Sequence, residues 1–112
     1  MDNRVPTPEL HVEDGGLWAV RSTSSTVCYL DLDLMLLYRD RGPGSPPFPY
    51  DRRWVPLVRV RSSQGDTGVI RVDDRHEYLT DPGGGAQDYQ WWIPRVCVAI
   101  EPVDPDEAPP KG

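Results

Sequence analysis

The chain has 112 residues and a hydrophobic content of 38%, which suits one domain with a small core. Its formal net charge of −6 weighs against general attraction to nucleic acid or to anionic membranes. Apolar runs such as residues 34–38 do not exceed five residues, which is too short for a signal peptide or a membrane span, so the sequence predicts a cytoplasmic protein without a membrane partner.

The amino-acid composition also indicates a biased codon usage. Lys111 is the only lysine among 12 basic residues, and 13 residues are proline. Such a bias is typical of GC-rich genomes, so we expect an origin in a GC-rich bacterium or its phage.

Both ends of the chain have the composition of disordered tails. Residues 1–15 and 104–112 contain several acids and prolines and no periodic apolar pattern. Such segments bury too little apolar surface to offset the entropy of ordering, so both are predicted to be disordered. A single small β-domain is expected between them, over residues 16–103.

Five strands are predicted in that domain, because apolar and polar residues alternate with the period of two that a half-buried strand requires. The predicted strands cover residues 16–22, 26–37, 54–62, 67–79 and 89–101.

The first two strands are joined by residues 23–25, a cluster of turn formers. If both strands face one core, Val20 must lie opposite Cys28 and Trp18 must lie opposite Leu30.

The second strand is predicted to be continuous. Leu32 and Leu34 then point inward, while Asp31 and Asp33 point to solvent. A helix here would spread the leucines to both sides, so the strand is favoured, with a bulge at Leu36-Leu37.

Residues 42–50 contain four prolines and cannot pair as a central strand, because proline removes ladder donors. The segment is predicted to be a long loop. Its two PxxP matches also allow polyproline recognition, the alternative to a packed or mobile loop.

The second hairpin is predicted to join residues 54–62 to residues 67–79 through a turn at residues 64–66. In this register Val58 and Val60 point inward.

Five short strands with such turns favour an all-β fold, a small antiparallel five-stranded meander that closes into an SH3-like or OB-like barrel. A two-sheet roll is the alternative.

Cys28 and Cys97 each fall in a predicted strand. In a reducing compartment they are expected to be free, buried thiols, and a disulfide would require them to lie on facing strands. Neither has a neighbouring cation or base in sequence that would activate it.

Arginines provide the first candidate binding site. The parity of the second hairpin places Arg71 across from Arg59 or Arg61, and like charges in that position need a neutralising group. Either Asp31 and Asp33, or Asp73 and Glu101, form an ionic ladder with them, or the stripe binds a phosphate or an acidic partner surface.

Aromatic residues provide the second candidate. Trp91 and Trp92 are adjacent, so in a strand one ring points inward and the other outward. The outward ring, together with Tyr89, can anchor a protein partner or stack on a base. Alternatively, both rings cover the open end of a barrel.

Residues 73–77 gather three carboxylates and an imidazole. Asp74 and His76 share one side of a strand, but a charged turn or solvated strand end is the expected structure, and no metal site is predicted.

The sequence has no phosphate loop, GxGxxG, paired CxxC or GxSxG motif. It therefore predicts a non-enzymatic protein-interaction module without a cofactor, whose partner is another protein. The alternative is a nucleic-acid-binding barrel that uses Arg59, Arg61, Arg71 and an exposed tryptophan. An enzyme centred on His76 and Asp74 is the third hypothesis.

Overall fold

The computed structural model describes residues 5–83 and 89–111 of an all-β chain with antiparallel strands. Within those ranges there is no α-helix, and no helix is long and apolar enough to cross a membrane. The nine strands are β1 (Glu9–His11), β2 (Leu17–Ser22), β3 (Val27–Asp31), β4 (Leu36–Asp40), β5 (Trp54–Ser62), β6 (Val69–Arg71), β7 (His76–Thr80), β8 (Gln90–Trp92) and β9 (Cys97–Pro102).

Seven strands form one sheet in the order β8-β7-β5-β4-β3-β2-β9, and β1 pairs with β6 in a separate two-stranded sheet. The sheets are not closed into a barrel, because β8 and β9 remain the two edges of the larger one. The all-β antiparallel class is confirmed. The predicted five-stranded SH3-like or OB-like barrel is wrong in the number of strands and in closure.

The core draws side chains from both sheets. Its buried members are Leu10, Val20, Cys28, Leu30, Leu32, Leu37, Val55, Leu57, Val60, Ile70, Tyr78, Cys97 and Ile100.

The register of the first hairpin is confirmed. Val20 lies opposite Cys28 and Trp18 lies opposite Leu30. All four side chains belong to the core or pack against it. Both strands therefore face one core, which is the condition from which this register is predicted.

The predicted strand over residues 26–37 is wrong, because the chain turns after Asp31 and returns as β4. The Asp31 carboxylate accepts hydrogen bonds from the N–H groups of Asp33 and Leu34, both at 3.1 Å. This local bond is the usual mechanism by which aspartate starts a turn. Asp31 is consequently buried rather than facing solvent, and Leu34 is 62% exposed rather than inward.

The predicted second hairpin forms only at its turn, where Arg61 bridges Thr67 and the Ser62 N–H donates to the Asp66 carbonyl at 2.8 Å. The ladder does not continue as predicted, because β5 pairs with β7 while β6 pairs with β1. An irregularity in register between Leu57 and Arg59 changes the face of the residue between them. Val58 is therefore 42% exposed, while Val60 is buried as predicted.

The disorder predicted for residues 1–15 and 104–112 is not confirmed for the described residues of these segments. Glu9–His11 form β1, and Leu10 of that strand is only 1% exposed. At the other end, the indole N–H of Trp54 donates to the Pro109 carbonyl at 3.0 Å, and the Lys111 ammonium lies 2.8 Å from an Asp31 carboxylate oxygen.

Candidate functional site

The predicted arginine stripe is not assembled. Arg71 lies opposite Glu9 in β1 rather than opposite Arg59 or Arg61. Its guanidinium binds Glu9 at 2.9 Å and Asp66 at 2.8 Å. The predicted repulsion between Arg71 and another arginine does not arise, because β6 pairs with β1 rather than with β5.

The other two arginines of the predicted stripe are also accounted for. Arg61 lies 3.7 Å from the carboxylate of Glu77, which is opposite it in β7. Arg59 places its guanidinium carbon 5.6 Å from the ring centroid of Trp91. Asp31 instead binds Lys111, so the proposed ladder with the arginines does not form at that residue.

The two adjacent tryptophans face opposite ways, as predicted. Trp91 is 52% exposed, and the neighbouring Tyr89 is exposed to a similar degree. Trp92 packs against the core, where its ring stacks on Tyr78 with centroids 5.5 Å apart.

The charged segment at residues 73–77 is not a solvated strand end, because two of its side chains are buried. Asp74 accepts hydrogen bonds from the hydroxyl groups of Ser62 and Ser63 and from the Arg75 N–H. Burial disfavours the charged form of Asp74, but these hydrogen bonds outweigh that effect and lower its pKa.

His76 is 1% exposed, and its Nε2 accepts a hydrogen bond from the Arg71 backbone N–H at 2.9 Å. Burial lowers the pKa of His76, although the nearby Asp74 carboxylate opposes the shift. The imidazole is therefore neutral, with its lone pair already occupied. This cluster fastens the end of β5 to the chain between β6 and β7, which is a structural role.

Within the described ranges, no group of three or more His, Cys, Asp or Glu side chains is arranged to hold a metal ion. Cys28 and Cys97 are both buried and unpaired, as expected. Burial raises the pKa of both thiols, that of Cys97 to about 11, and thiols of high pKa are poor nucleophiles.

The β2–β3 turn borders an open cleft of about 650 Å³, which we call the arginine cleft. Its walls are the β2–β3 turn, the proline-rich loop after β4, and the segment between β8 and β9. The lining consists of residues 23–26, 43–46 and 92–96, with Arg39, Phe48 and Arg75.

Charge is segregated at this cleft. Three arginines line it, and none of the described lining residues is Asp or Glu. The whole chain has 18 acidic residues against 12 basic ones. A concave wall of one sign focuses the electrostatic field and concentrates ligands of the opposite sign.

Arg39 forms the back of the cleft and is itself buried. Its Nη1 donates to both carboxylate oxygens of Asp51 at 2.7 Å, and its Nη2 donates to the Pro46 carbonyl at 3.2 Å. The guanidinium carbon lies 4.1 Å from the Phe48 ring centroid and 5.3 Å from that of Trp92. Arg39 therefore anchors the loop and joins two walls, while its charge is matched by Asp51.

The proline-rich loop is packed against the β2–β3 turn. The Ser25 hydroxyl donates to the Pro43 carbonyl at 2.8 Å, and the Thr26 hydroxyl donates to Ser45 Oγ at 2.7 Å. A Cβ at Gly42 would overlap the Ser25 backbone, so only glycine permits this close approach.

Arg75 and Arg95 are exposed at the third wall. The Arg75 Nε donates to the Pro94 carbonyl at 3.0 Å, which holds its guanidinium beside the peptide bond that precedes Arg95. Neither arginine forms an ion pair within the described ranges. They supply the uncompensated positive charge of the cleft.

Sequence reasoning missed these arginines. Of its candidate residues only Trp92 lines the arginine cleft. The sequence predicts the proline-rich loop, but Arg39, Arg75 and Arg95 lie in three different segments without a shared motif.

Comparison with known proteins gives no assignment: no family model, no curated protein and no solved structure matches the chain.

Proposed function

We propose that this chain is a non-enzymatic protein-interaction module that binds an acidic segment of a partner protein in the arginine cleft. The observation that carries the proposal is the charge of the cleft: Arg75 and Arg95 line it without an ion pair to a described residue, and none of the described lining residues is Asp or Glu, in a chain of net charge −6.

The shape and rim of the cleft support a peptide ligand. Its volume of about 650 Å³ falls within the range of roughly 300–1,000 Å³ that is usual for ligand sites. Phe48, Ile93 and Val96 line the cleft and are exposed. A partner segment can therefore combine charge attraction with burial of apolar side chains, as interfaces commonly do.

A nucleic-acid ligand is the less favoured alternative. Two of the three arginines proposed to contact phosphates, Arg61 and Arg71, already have carboxylate partners. Arg59 and Trp91 do form an exposed pair, but one such pair lacks the succession of cations that tracks a phosphate backbone.

The proposal is tested with a fluorescent peptide in which glutamate alternates with leucine, measured by anisotropy at low ionic strength. A matched peptide carries glutamine in place of glutamate. The glutamate peptide should bind, the glutamine peptide should not, and added salt should weaken binding.

Two charge reversals separate the cleft from the rest of the surface. Arg95→Glu should weaken binding by roughly tenfold or more, because it removes one charge-assisted contact and adds repulsion. Arg59→Glu changes the net charge equally but lies outside the cleft, so it should leave affinity within about twofold. Equal losses for both variants, or no binding of the glutamate peptide, would overturn the proposal.

A further inference from the structure

The two arginines of the cleft that have no ion pair among the described residues come from two chain segments that are in contact. The Arg75 Nε bonds to the Pro94 carbonyl at 3.0 Å, and Arg95 is the next residue. No described acidic side chain lines the cleft to separate or neutralise them. Like charges that line one cleft repel each other, and an anion bound there would offset that repulsion.

A carboxylate matches this pair less well than a phosphate monoester does, because the carboxylate carries a single negative charge. A phosphate monoester carries about −1.5 to −2 at neutral pH and offers three acceptor oxygens. Guanidinium groups present planar forks of donors that fit phosphate geometry, and arginine clusters are a recurring means of phosphate recognition in peptides.

A hydroxyl-bearing turn lies against the same end of the cleft. The Thr23 N–H donates to the Val96 carbonyl at 3.1 Å, so the β2–β3 turn adjoins the segment that carries Arg95. The Thr23 side chain is exposed at this junction and lines the cleft. It supplies a neutral donor beside the two cations, which suits a ligand with three acceptor oxygens.

Apolar side chains flank the arginine pair. Ile93 and Val96 precede and follow Pro94 and Arg95, and both are exposed cleft residues. A free phosphate ion leaves them uncovered, whereas the residues on either side of a phosphorylated side chain can pack on them.

Resting on the proposed function, we infer that the arginine cleft recognises a phosphorylated serine or threonine in a partner protein, with the phosphate held between Arg75 and Arg95. The apolar rim contacts the residues that flank the phosphorylated position.

The test uses the full chain and three peptides with one frame, acetyl-Leu-Ala-X-Ala-Leu-amide, where X is phosphoserine, glutamate or serine. Calorimetry should show that the phosphoserine peptide binds roughly tenfold or more tightly than the glutamate peptide, and that the serine peptide does not bind. Inorganic phosphate should compete only at much higher concentration than the phosphoserine peptide.

Variants locate the site. Arg75→Gln and Arg95→Gln should each abolish the preference for phosphoserine over glutamate, and Arg95→Lys should retain part of it because a charge remains. Arg59→Gln, outside the cleft, should leave the preference unchanged. Circular dichroism checks that each variant is folded, and the Arg95 variants provide the decisive result if Arg75→Gln unfolds.

The outcomes separate the inference from the proposed function. If the glutamate peptide binds as tightly as the phosphoserine peptide, the inference is overturned and the proposed function stands. If no acidic peptide binds, both fail. If inorganic phosphate binds as tightly as the phosphoserine peptide, the site is one for free phosphate and the inference is overturned. If a single-stranded oligonucleotide binds more tightly than the phosphoserine peptide, and this binding depends on Arg95, the inference of a protein partner is overturned.

Discussion

At the scale of single residues, His76 shows how burial controls an ionisable group. The ring is 1% exposed, and its Nε2 accepts the Arg71 N–H. Protonation would replace that acceptor with a donor and place a charge in the interior. Burial accordingly lowers the pKa of His76 below its ordinary value, against the opposing attraction of Asp74.

This lowered pKa predicts a specific dependence of stability on pH. The unfolded chain binds a proton at a pKa of about 6.5 and the folded chain at a lower pH, so the free energy of unfolding should fall by up to about 1.4 kcal/mol per pH unit below that value. Above about pH 7 His76 is unprotonated in both the folded and the unfolded chain, so its contribution to the free energy of unfolding no longer changes with pH. Urea denaturation at a series of pH values measures it.

Matched histidine variants provide the control. His76→Gln keeps an acceptor for the Arg71 N–H but cannot be protonated, so the fall between about pH 7 and about pH 5 should disappear. His11→Gln removes the other imidazole and should retain the fall. A fall that follows His11 instead would contradict the interpretation.

Asp31 is a second residue whose environment sets its importance. Burial disfavours its ionised form, but the Lys111 ammonium and the N–H groups of Leu34 and Asp33 outweigh that effect and lower its pKa. A solvent-facing aspartate would be nearly dispensable. The buried Asp31 carboxylate starts the β3–β4 turn, and its loss should therefore lower the free energy of unfolding.

Asp31→Ala should cost roughly 1–3 kcal/mol of unfolding free energy, because two backbone N–H groups lose their acceptor. Asp31→Asn keeps that acceptor and loses only the attraction to the half-exposed Lys111, so it should cost under about 1 kcal/mol. Chemical denaturation of both variants distinguishes the turn from the ion pair, and equal costs would contradict a role of the turn hydrogen bonds.

At the scale of elements, β1 is a strand of three residues that completes the core. Leu10 is buried between the two sheets, and its strand pairs with β6 along Glu9–Arg71, Leu10–Ile70 and His11–Val69. A tail would be removable, but this strand supplies a core side chain and the partner for β6.

Leu10→Ala should therefore destabilise the fold by about 2–5 kcal/mol, the usual cost of a large-to-small change in a core. Val5→Ala, at an exposed position of the same segment, should change stability by less than about 0.5 kcal/mol. Thermal unfolding of the two variants tests the assignment, and a Leu10→Ala protein as stable as the parent would show that β1 is dispensable.

At the scale of the whole molecule, both thiols are enclosed by the core. Cys28 and Cys97 are buried and unpaired, and burial raises the pKa of both. A thiol-reactive disulfide dye should label neither cysteine in the native protein at neutral pH, and both in denaturant. Rapid labelling of the native protein, or a drop in thermal midpoint on adding a reductant, would contradict this arrangement.

The distribution of charge is also a property of the whole chain. Four of the seven described arginines outside the cleft form an ion pair with a carboxylate, as in Arg71 with Glu9 and Arg21 with Glu101. Arg75 and Arg95 form no such pair within the described ranges. The arginine cleft thus combines two arginines without an ion pair and a lining with no described acidic residue, and this favours anionic ligands.

The sequence by itself determined the all-β class, the pairing of Val20 with Cys28, and the opposite facing of Trp91 and Trp92. These features follow from the alternation of side chains between the two faces of a strand. This alternation is a local property of the backbone, so it can be predicted from residues that are neighbours in the sequence.

Tertiary structure alone decided which strands pair, and therefore what each charged residue meets. The pairing of β6 with β1 joins segments about 60 residues apart, and the hydroxyls that allow Asp74 to be buried come from β5. The arginine cleft likewise depends on side chains from distant segments. Local periodicity carries no information about such contacts, because the free energy that selects them comes from the shared core and its long-range hydrogen bonds.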